Sequence, residues 1–409
     1  MKYRLLDLMP LFLVILVDTI GYSIIVPVLA PVLINDEPQM MIAWSAQARY
    51  IVYGLALGLY ELAMLYMAPV LGEISDQIGR RRVLIFCIVG MFLSFVIIGF
   101  SIAANLVLLL IFGRLIGGAT AGSQAVAQAA AVDRSTPDNK ALVLSLCLFA
   151  SSVGFILGPI LGGVLANKDL VGWFDAATPL YAVAALTVLC FLLLLRIEKQ
   201  PAAALRIGKI DLLMGIKGFK TALADPPVRR LIVVFTLMQT AWGAYFLFVP
   251  SFLIVRFDFD GPGISAFMAV LGVGFCIAYG GALPLLSKIV SVKRLAAAGL
   301  WLTALLLGLS ILSYSVTVQW AIAIPIATVV SVAYGAIITL FSDAVESERQ
   351  GWILGITISV TAFAWGFASI ISGVLSGYHY LGPMVMAFLA LIASGLVILR
   401  PLSRGGQLT

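Results

Sequence analysis

Long apolar stretches alternate with short polar segments along most of the chain. Each stretch contains about 20 residues, the length that an α-helix needs to cross the hydrocarbon core of a bilayer. Because the backbone of such a stretch must satisfy its own polar groups in lipid, we predict that each one is a transmembrane helix. The pattern predicts twelve helices, centred near residues 20, 60, 92, 118, 153, 187, 242, 275, 305, 332, 363 and 391.

The composition supports an all-α membrane protein. Of the 409 residues, 62% are hydrophobic and 11% are charged, whereas a soluble domain is about half apolar and a quarter charged. The first apolar stretch, from Leu8 to Leu33, is too long for a signal-peptide core, so we expect a permanent helix. Four cysteines inside apolar stretches predict free thiols, with neither a disulfide nor a metal: Cys87, Cys147, Cys190 and Cys276.

Basic residues are distributed unevenly between the two sides of the predicted bundle. With the N-terminus inside, 21 Lys and Arg residues fall on the inner side, and only Arg49, Lys168 and Arg256 fall on the outer side. Basic residues collect on the cytoplasmic side of membrane proteins. We therefore expect both termini in the cytoplasm, and the positive charge indicates topology rather than nucleic-acid binding.

The longest polar segment divides the chain into two parts. We predict an amino-terminal six-helix bundle over residues 1–197, a linker over 198–228 and a carboxy-terminal six-helix bundle over 229–409. The linker pattern is typical of a helix lying on the inner membrane surface, with an apolar face of Leu212, Leu213, Ile216, Phe219 and Leu223. The halves look like diverged repeats, because Tyr22 and Pro27 recur at one constant offset as Tyr245 and Pro250.

Three charged residues lie inside predicted helices, where charge is costly and usually functional. Asp18 and Arg114 lie at nearly the same depth, and Glu61 lies somewhat nearer the cytoplasm. A buried ion pair between Asp18 and Arg114 could simply hold two helices together. Since buried ion pairs are poor stabilisers, we favour a role in proton coupling. Glu61 could be a second proton carrier, or it could hold a cationic substrate.

Two glycine-containing motifs stand out. The loop after the second helix reads Gly72-Glu73-Ile74-Ser75-Asp76-Gln77-Ile78-Gly79-Arg80-Arg81, and a cytoplasmic loop alone does not require its glycines or its aspartate. The fifth helix contains Gly154, Gly158, Pro159, Gly162 and Gly163. Its small residues form a smooth stripe that lets another helix approach closely, and its proline bends the helix.

Polar and aromatic residues in other helices are candidates for a substrate cavity. An apolar, aromatic cavity with few polar groups favours bulky amphipathic solutes. The candidates are Tyr22, Gln124, Gln128, Gln239, Trp242, Tyr245, Phe246, Tyr334 and Trp365. The single histidine, His379, lies in a predicted outer loop, so we expect carboxylates to carry any protons.

These motifs resemble those of the major facilitator superfamily, and in particular its tetracycline- and multidrug-type proton antiporters. The resemblance lies in the loop after the second helix, in the Arg114-to-Gly118 segment, in the first helix from Asp18, and in the complete match of the fifth helix to the antiporter motif. It implies two bundles that rock about a central site. It also implies that Asp76 contacts the start of the eleventh helix and that Arg80 bridges to Asp133, so that this loop latches the halves.

The function expected from the resemblance is proton-coupled export of amphipathic small molecules. It would need no cofactor beyond a proton gradient, and its partners would be the substrate, protons and lipid. We expect a monomer in a bacterial inner membrane. A dedicated metabolite or siderophore transporter is the alternative. A membrane-embedded enzyme is less favoured, because the sequence contains no metal-ligand cluster, no nucleophile–His pair and no phosphate-binding loop.

Overall fold

The computed structural model describes residues 8–35, 39–136, 139–197, 220–221, 223–346 and 349–399. Within these ranges twelve helices are long and apolar enough to cross a membrane, and every predicted centre falls inside one of them. They are α1 (Met9–Ile34), α2 (Ala46–Ile78), α3 (Arg80–Ala103), α4 (Val107–Asp133), α5 (Lys140–Leu165), α6 (Thr178–Arg196), α7 (Pro226–Phe257), α8 (Gly261–Leu286), α9 (Val292–Leu312), α10 (Val316–Asp343), α11 (Gln350–Tyr378) and α12 (Gly382–Leu399). The all-α prediction is confirmed.

Small residues account for the breaks in these helices. Gly79 separates α2 from α3 with a φ of 97°, a conformation that glycine adopts without a steric penalty. α4 is interrupted between Ala119 and Ser123. In α8 a π-helical turn covers Ala278–Ala282, just before Pro284.

The helices form two halves with matching packing. In the amino-terminal half α1 packs against α5 and α6, α2 against α4, and α3 against α4 and α6. The other half repeats this pattern, because α7 packs against α11 and α12, α8 against α10, and α9 against α10 and α12. Most of the predicted linker, 198–228, lies outside the described residues. In the structure α7 begins at Pro226. Proline is tolerated there because the N–H groups of the first turn have no partner within the helix.

Both halves contact each other on the side opposite the chain termini, which we call the far side. The side where α1 begins and α12 ends is the termini side. On the far side α2 crosses α11 at paired glycines. A Cβ placed on Gly54 would lie 2.8 Å from the Gly373 Cα, and Gly58 packs against the Gly366 carbonyl in the same way. Glycine is therefore required here by the close approach of two backbones.

Other helix pairs close the far side as well. The Tyr53 hydroxyl of α2 donates a 2.7 Å hydrogen bond to the Leu247 carbonyl of α7. On α5, Gly163 packs against Ser265 of α8. α1 contacts the other half as well, at α7 and α8, so several pairs of helices join the two halves.

On the termini side α2 and α11 diverge. Gly72 follows Gly54 by 18 residues, which is five turns at 3.6 residues per turn, so the two glycines lie on the same face of α2. Gly355 and Gly373 have the same relation on α11. A Cβ on Gly72 or Gly355 would meet no described atom within 4 Å outside its own helix. The space between the halves is therefore closed on the far side and open on the termini side.

Candidate functional site

The charged residues Asp18 and Arg114 line one small cavity in the amino-terminal half. Asp18 accepts a 2.6 Å hydrogen bond from the Ser123 hydroxyl. The buried Arg114 donates from Nε to the Ala56 carbonyl at 2.8 Å, and its guanidinium lies 4.3 Å from the centroid of the Tyr60 ring. Each charged group is thus held by neutral partners.

The ion pair that the sequence predicted between these two residues is absent from this conformation. No basic nitrogen in the described part of the chain lies within 4 Å of the Asp18 carboxylate. A backbone carbonyl and an aromatic face hold Arg114 elsewhere, because both bind a guanidinium well. The cavity that both residues line has a volume of about 20 Å³, which is enough for roughly one water molecule.

Glu61 lies at the midpoint of α2, where this helix meets α11. Its side chain is 3% exposed, and its Oε1 accepts a 2.7 Å hydrogen bond from the Tyr22 hydroxyl of α1. Across the interface, the Glu61 Cβ lies 3.3 Å from the position that a Cβ on Gly366 would occupy. Glu61 therefore lies between the two halves, whereas Asp18 lies within one of them.

Five aromatic side chains form a closed ring of contacts across both halves, which we call the aromatic belt. The ring centroids are 6.1 Å apart for Tyr22–Phe155, 6.0 Å for Phe155–Phe275 and 6.3 Å for Phe275–Phe246. The circle closes through Phe246–Trp365 at 5.8 Å and Trp365–Tyr22 at 6.3 Å. These separations are typical of favourable aromatic pairs. Along α11, Trp365 lies between Gly373 on the closed far side and Gly355 on the open termini side, so we treat the belt as the floor of the space that opens on the termini side.

Some of the predicted cavity residues extend this floor. Trp242 packs on Phe246 at 5.9 Å and on Tyr245 at 5.3 Å. One turn before Trp242, the Gln239 amide donates to the Thr361 hydroxyl at 2.8 Å, which ties α7 to α11.

The remaining predicted cavity residues lie elsewhere. Gln124 donates to the Ser151 hydroxyl at 2.8 Å, and Gln128 is half-buried one turn further along α4. Tyr334 packs against Phe235, with 5.7 Å between the ring centroids, and does not contact the belt within the described residues.

Two belt residues were not predicted from the sequence. Phe155 directly follows Gly154 of the α5 motif, so its position beside a predicted close helix contact was an available signal. Phe275 stands in an uninterrupted apolar stretch of α8, and nothing in that pattern separates it from an ordinary packing residue.

The glycine motif of α5 packs directly on α1. A Cβ on Gly154 would lie 2.7 Å from the Thr19 Cβ, and one on Gly158 would overlap Ser23. The Ser23 hydroxyl also donates to the Gly154 carbonyl at 3.1 Å. Gly163 faces the other half at α8. The motif thus packs α5 against α1, which carries Asp18, and also against α8 of the other half.

The arginine loop organises the termini side of the amino-terminal half. Arg80 pairs with Asp76 through Nη2, contacts Asp133 through Nε at 3.1 Å and donates to the Ser75 hydroxyl at 2.6 Å. Arg81 donates to the last carbonyls of α6, at 2.9 Å and 2.7 Å. In the described residues no hydrogen bond joins Asp76 to α11, and its side chain is 62% exposed. The Arg80–Asp133 contact is present, while the latch across the halves stays a prediction.

Comparisons with known proteins agree with this architecture. A family model described as Major Facilitator Superfamily matches residues 11–369. The chain is 26% identical over 386 residues to the class E tetracycline resistance protein of Escherichia coli, covering 92% of this chain and 86% of that protein. It is 28% identical over 396 residues to the class G tetracycline resistance protein of Vibrio anguillarum, covering 93% and 94%.

A solved structure shows the same fold. The crystal structure of a bacterial homolog of the human lysosomal transporter Spinster, in an inward-facing and occupied conformation, superposes with a TM-score of 0.77. The match covers 97% of this chain and 96% of that chain at 15% identity.

Proposed function

Because the chain belongs to the major facilitator superfamily of membrane transporters, we propose that it exports amphipathic small molecules in exchange for protons. The similarity to two tetracycline resistance proteins supports export of a drug-like solute. The basic residues on the termini side support a cytoplasmic location for both termini, and the bacterial relatives support an inner-membrane location. The transporter takes up solute from the cytoplasm, releases it on the far side and works as a monomer.

The observation that carries proton coupling is the placement of Asp18 and Arg114 on one cavity without direct contact. A carboxylate removed from water and from cations favours its protonated form, and a nearby cation favours the ionised form. In this conformation Ser123 is the hydrogen-bond partner of Asp18. When the halves rock, a shift of Arg114 toward Asp18 would release the proton. Alternation between these arrangements links proton movement to the direction in which the cavity opens.

Transport in liposomes tests this function. Purified protein is reconstituted into vesicles with an acidic interior, and uptake of a panel of amphipathic compounds is followed. We expect accumulation of several compounds that stops when the pH gradient is collapsed. Asp18→Asn should bind the same compounds but fail to accumulate them.

The matched control is Asp169→Asn, because Asp169 is an exposed carboxylate in the loop between α5 and α6. This variant should transport like the wild type. Gradient-driven uptake of one compound only would favour a dedicated metabolite or siderophore transporter. Uptake that does not depend on the pH gradient would refute proton coupling.

A further inference from the structure

We propose that Glu61 and Trp365, at the edge of the aromatic belt, form a binding subsite for an organic cation that carries aromatic rings. The proposal rests on the transport function above and narrows its substrate class. Three features of the described structure meet at this place: a buried carboxylate, an unpaired indole N–H group and a floor of aromatic rings.

The Glu61 carboxylate lacks a close counter-charge. Its Oε1 accepts from the Tyr22 hydroxyl, and no Arg or Lys nitrogen of the described residues lies within 4 Å of either oxygen. The nearest buried cation, Arg114, is hydrogen-bonded to Ala56 and stacked on Tyr60. A buried carboxylate without a directly paired cation is unfavourable, so a cation brought in by a ligand is stabilised here.

Trp365 presents a polar group with no partner. Its side chain is 8% exposed, and within the described part of the chain its buried indole nitrogen has no hydrogen-bond acceptor. Buried N–H groups are nearly always paired in proteins, and each exception calls for an explanation. The next residue, Gly366, packs against the Glu61 side chain. An acceptor atom on a ligand bound beside Glu61 would accept a hydrogen bond from the Trp365 indole N–H group.

The belt supplies the surface for aromatic rings. Tyr22, Phe155 and Phe275 are half-buried, so the belt is not fully covered by protein. Aromatic faces attract cations by about 0.5–2 kcal/mol, and aromatic ligand rings pack on them at edge or offset geometry. An aryl-substituted cation therefore matches the floor, the carboxylate and the indole together.

Arg114 carries a positive charge and could bind an anionic ligand instead of a cation. Its guanidinium lines the cavity shared with Asp18 and lies over the Tyr60 ring, and Tyr22 of the belt lines the same cavity. Since Ala56 and the Tyr60 ring already hold Arg114, we expect anions with the same aromatic rings to bind less well than cations.

Three probes of similar shape separate these contributions. Methyltriphenylphosphonium is a cation, triphenylphosphine oxide is a neutral hydrogen-bond acceptor, and triphenylacetate is an anion. Each carries three phenyl rings. Binding to the purified full chain in lipid nanodiscs is measured by titration calorimetry, with protein-free nanodiscs correcting for partition into lipid.

We expect the wild type to bind the phosphonium more tightly than triphenylacetate. Glu61→Gln should weaken phosphonium binding by about tenfold or more, because it removes a buried negative charge that attracts the cation at low dielectric, while phosphine oxide binding stays within about twofold. Trp365→Phe should weaken phosphine oxide binding by about fivefold, the loss of one hydrogen bond. The control Asp169→Asn, which alters an exposed carboxylate in the loop between α5 and α6, should change neither affinity.

Retained phosphine oxide binding shows that the Glu61→Gln protein is folded. The subsite is overturned if Glu61→Gln weakens both probes equally or neither, or if triphenylacetate binds the wild type most tightly. Failure of the subsite and failure of the function are distinguishable. Phosphonium binding through Glu61 without gradient-driven uptake would refute the function and keep the subsite. Gradient-driven uptake of other compounds, together with phosphonium binding that does not depend on Glu61, would refute the subsite and keep the function.

Discussion

Substituting alanine for Gly54 should shift the transporter away from the conformation described here. The added Cβ would lie 2.5 Å from the Ser369 carbonyl oxygen and 2.8 Å from the Gly373 Cα. Both neighbours are backbone atoms of α11 and cannot rotate away, so the helices must separate by nearly 1 Å. Overpacking of this kind costs about 1–3 kcal/mol, which is roughly a five- to 150-fold shift in a two-state equilibrium.

Gly72→Ala is the matched control, because both substitutions exchange glycine for alanine within α2 and on the same helix face. Its Cβ meets no described atom within 4 Å outside α2, so the far-side contact is left intact. In the opposite conformation Gly72 should approach Gly355. We therefore expect Gly54→Ala to favour the state that opens on the far side, and Gly72→Ala to favour the state described here.

Distances between spin labels report this shift. One pair of labels, at Lys168 and Ser315, spans the far side, and another, at Arg82 and Lys288, spans the termini side; all four residues are exposed. The labels are introduced after replacement of the four native cysteines. Gly54→Ala should lengthen the far-side distance and shorten the other. Unchanged distances in Gly54→Ala, or the same shift in both variants, would refute the role of the paired glycines.

Three further outcomes are expected. Asp76→Asn should enlarge the population that opens on the termini side and lower transport without abolishing substrate binding; spin-label distances that match the wild type would exclude a latch. Gly79→Ala should lower thermal stability in detergent by about 1–3 kcal/mol, since a φ of 97° strains any side chain, and an unchanged melting temperature would contradict this. A membrane-impermeant thiol reagent should label Arg82→Cys only from the cytoplasm and Lys168→Cys only from outside; the reverse pattern would overturn the orientation.

The fold could be predicted because lipid imposes strong constraints on sequence. Every spanning segment must be a helix of about 20 apolar residues, so segment length alone located all twelve. The repeat of Tyr22 and Pro27 as Tyr245 and Pro250 indicated the two halves. Which side of the bundle is open could not be read from the sequence, because Gly54 and Gly72 lie on the same face of α2 and nothing in the pattern shows which of them packs against α11.

Part of the candidate site was also predictable. Charges inside membrane helices are rare, so Asp18, Glu61 and Arg114 could be singled out by position. Their partners could not, because Arg114 is held by the Ala56 carbonyl, and any residue carries a carbonyl. Phe275 was missed for a related reason, since an aromatic residue in an apolar helix has no distinguishing pattern.

Proton release on substrate binding is the most direct test of Asp18 as the coupling carboxylate. Purified protein in weakly buffered detergent solution is mixed with a transported compound, and a pH-sensitive dye records the protons released. The wild type and Glu61→Gln should release protons whenever the compound binds, and Asp18→Asn should bind it without release. Proton release that persists in Asp18→Asn and disappears in Glu61→Gln would show that Glu61, and not Asp18, carries the proton.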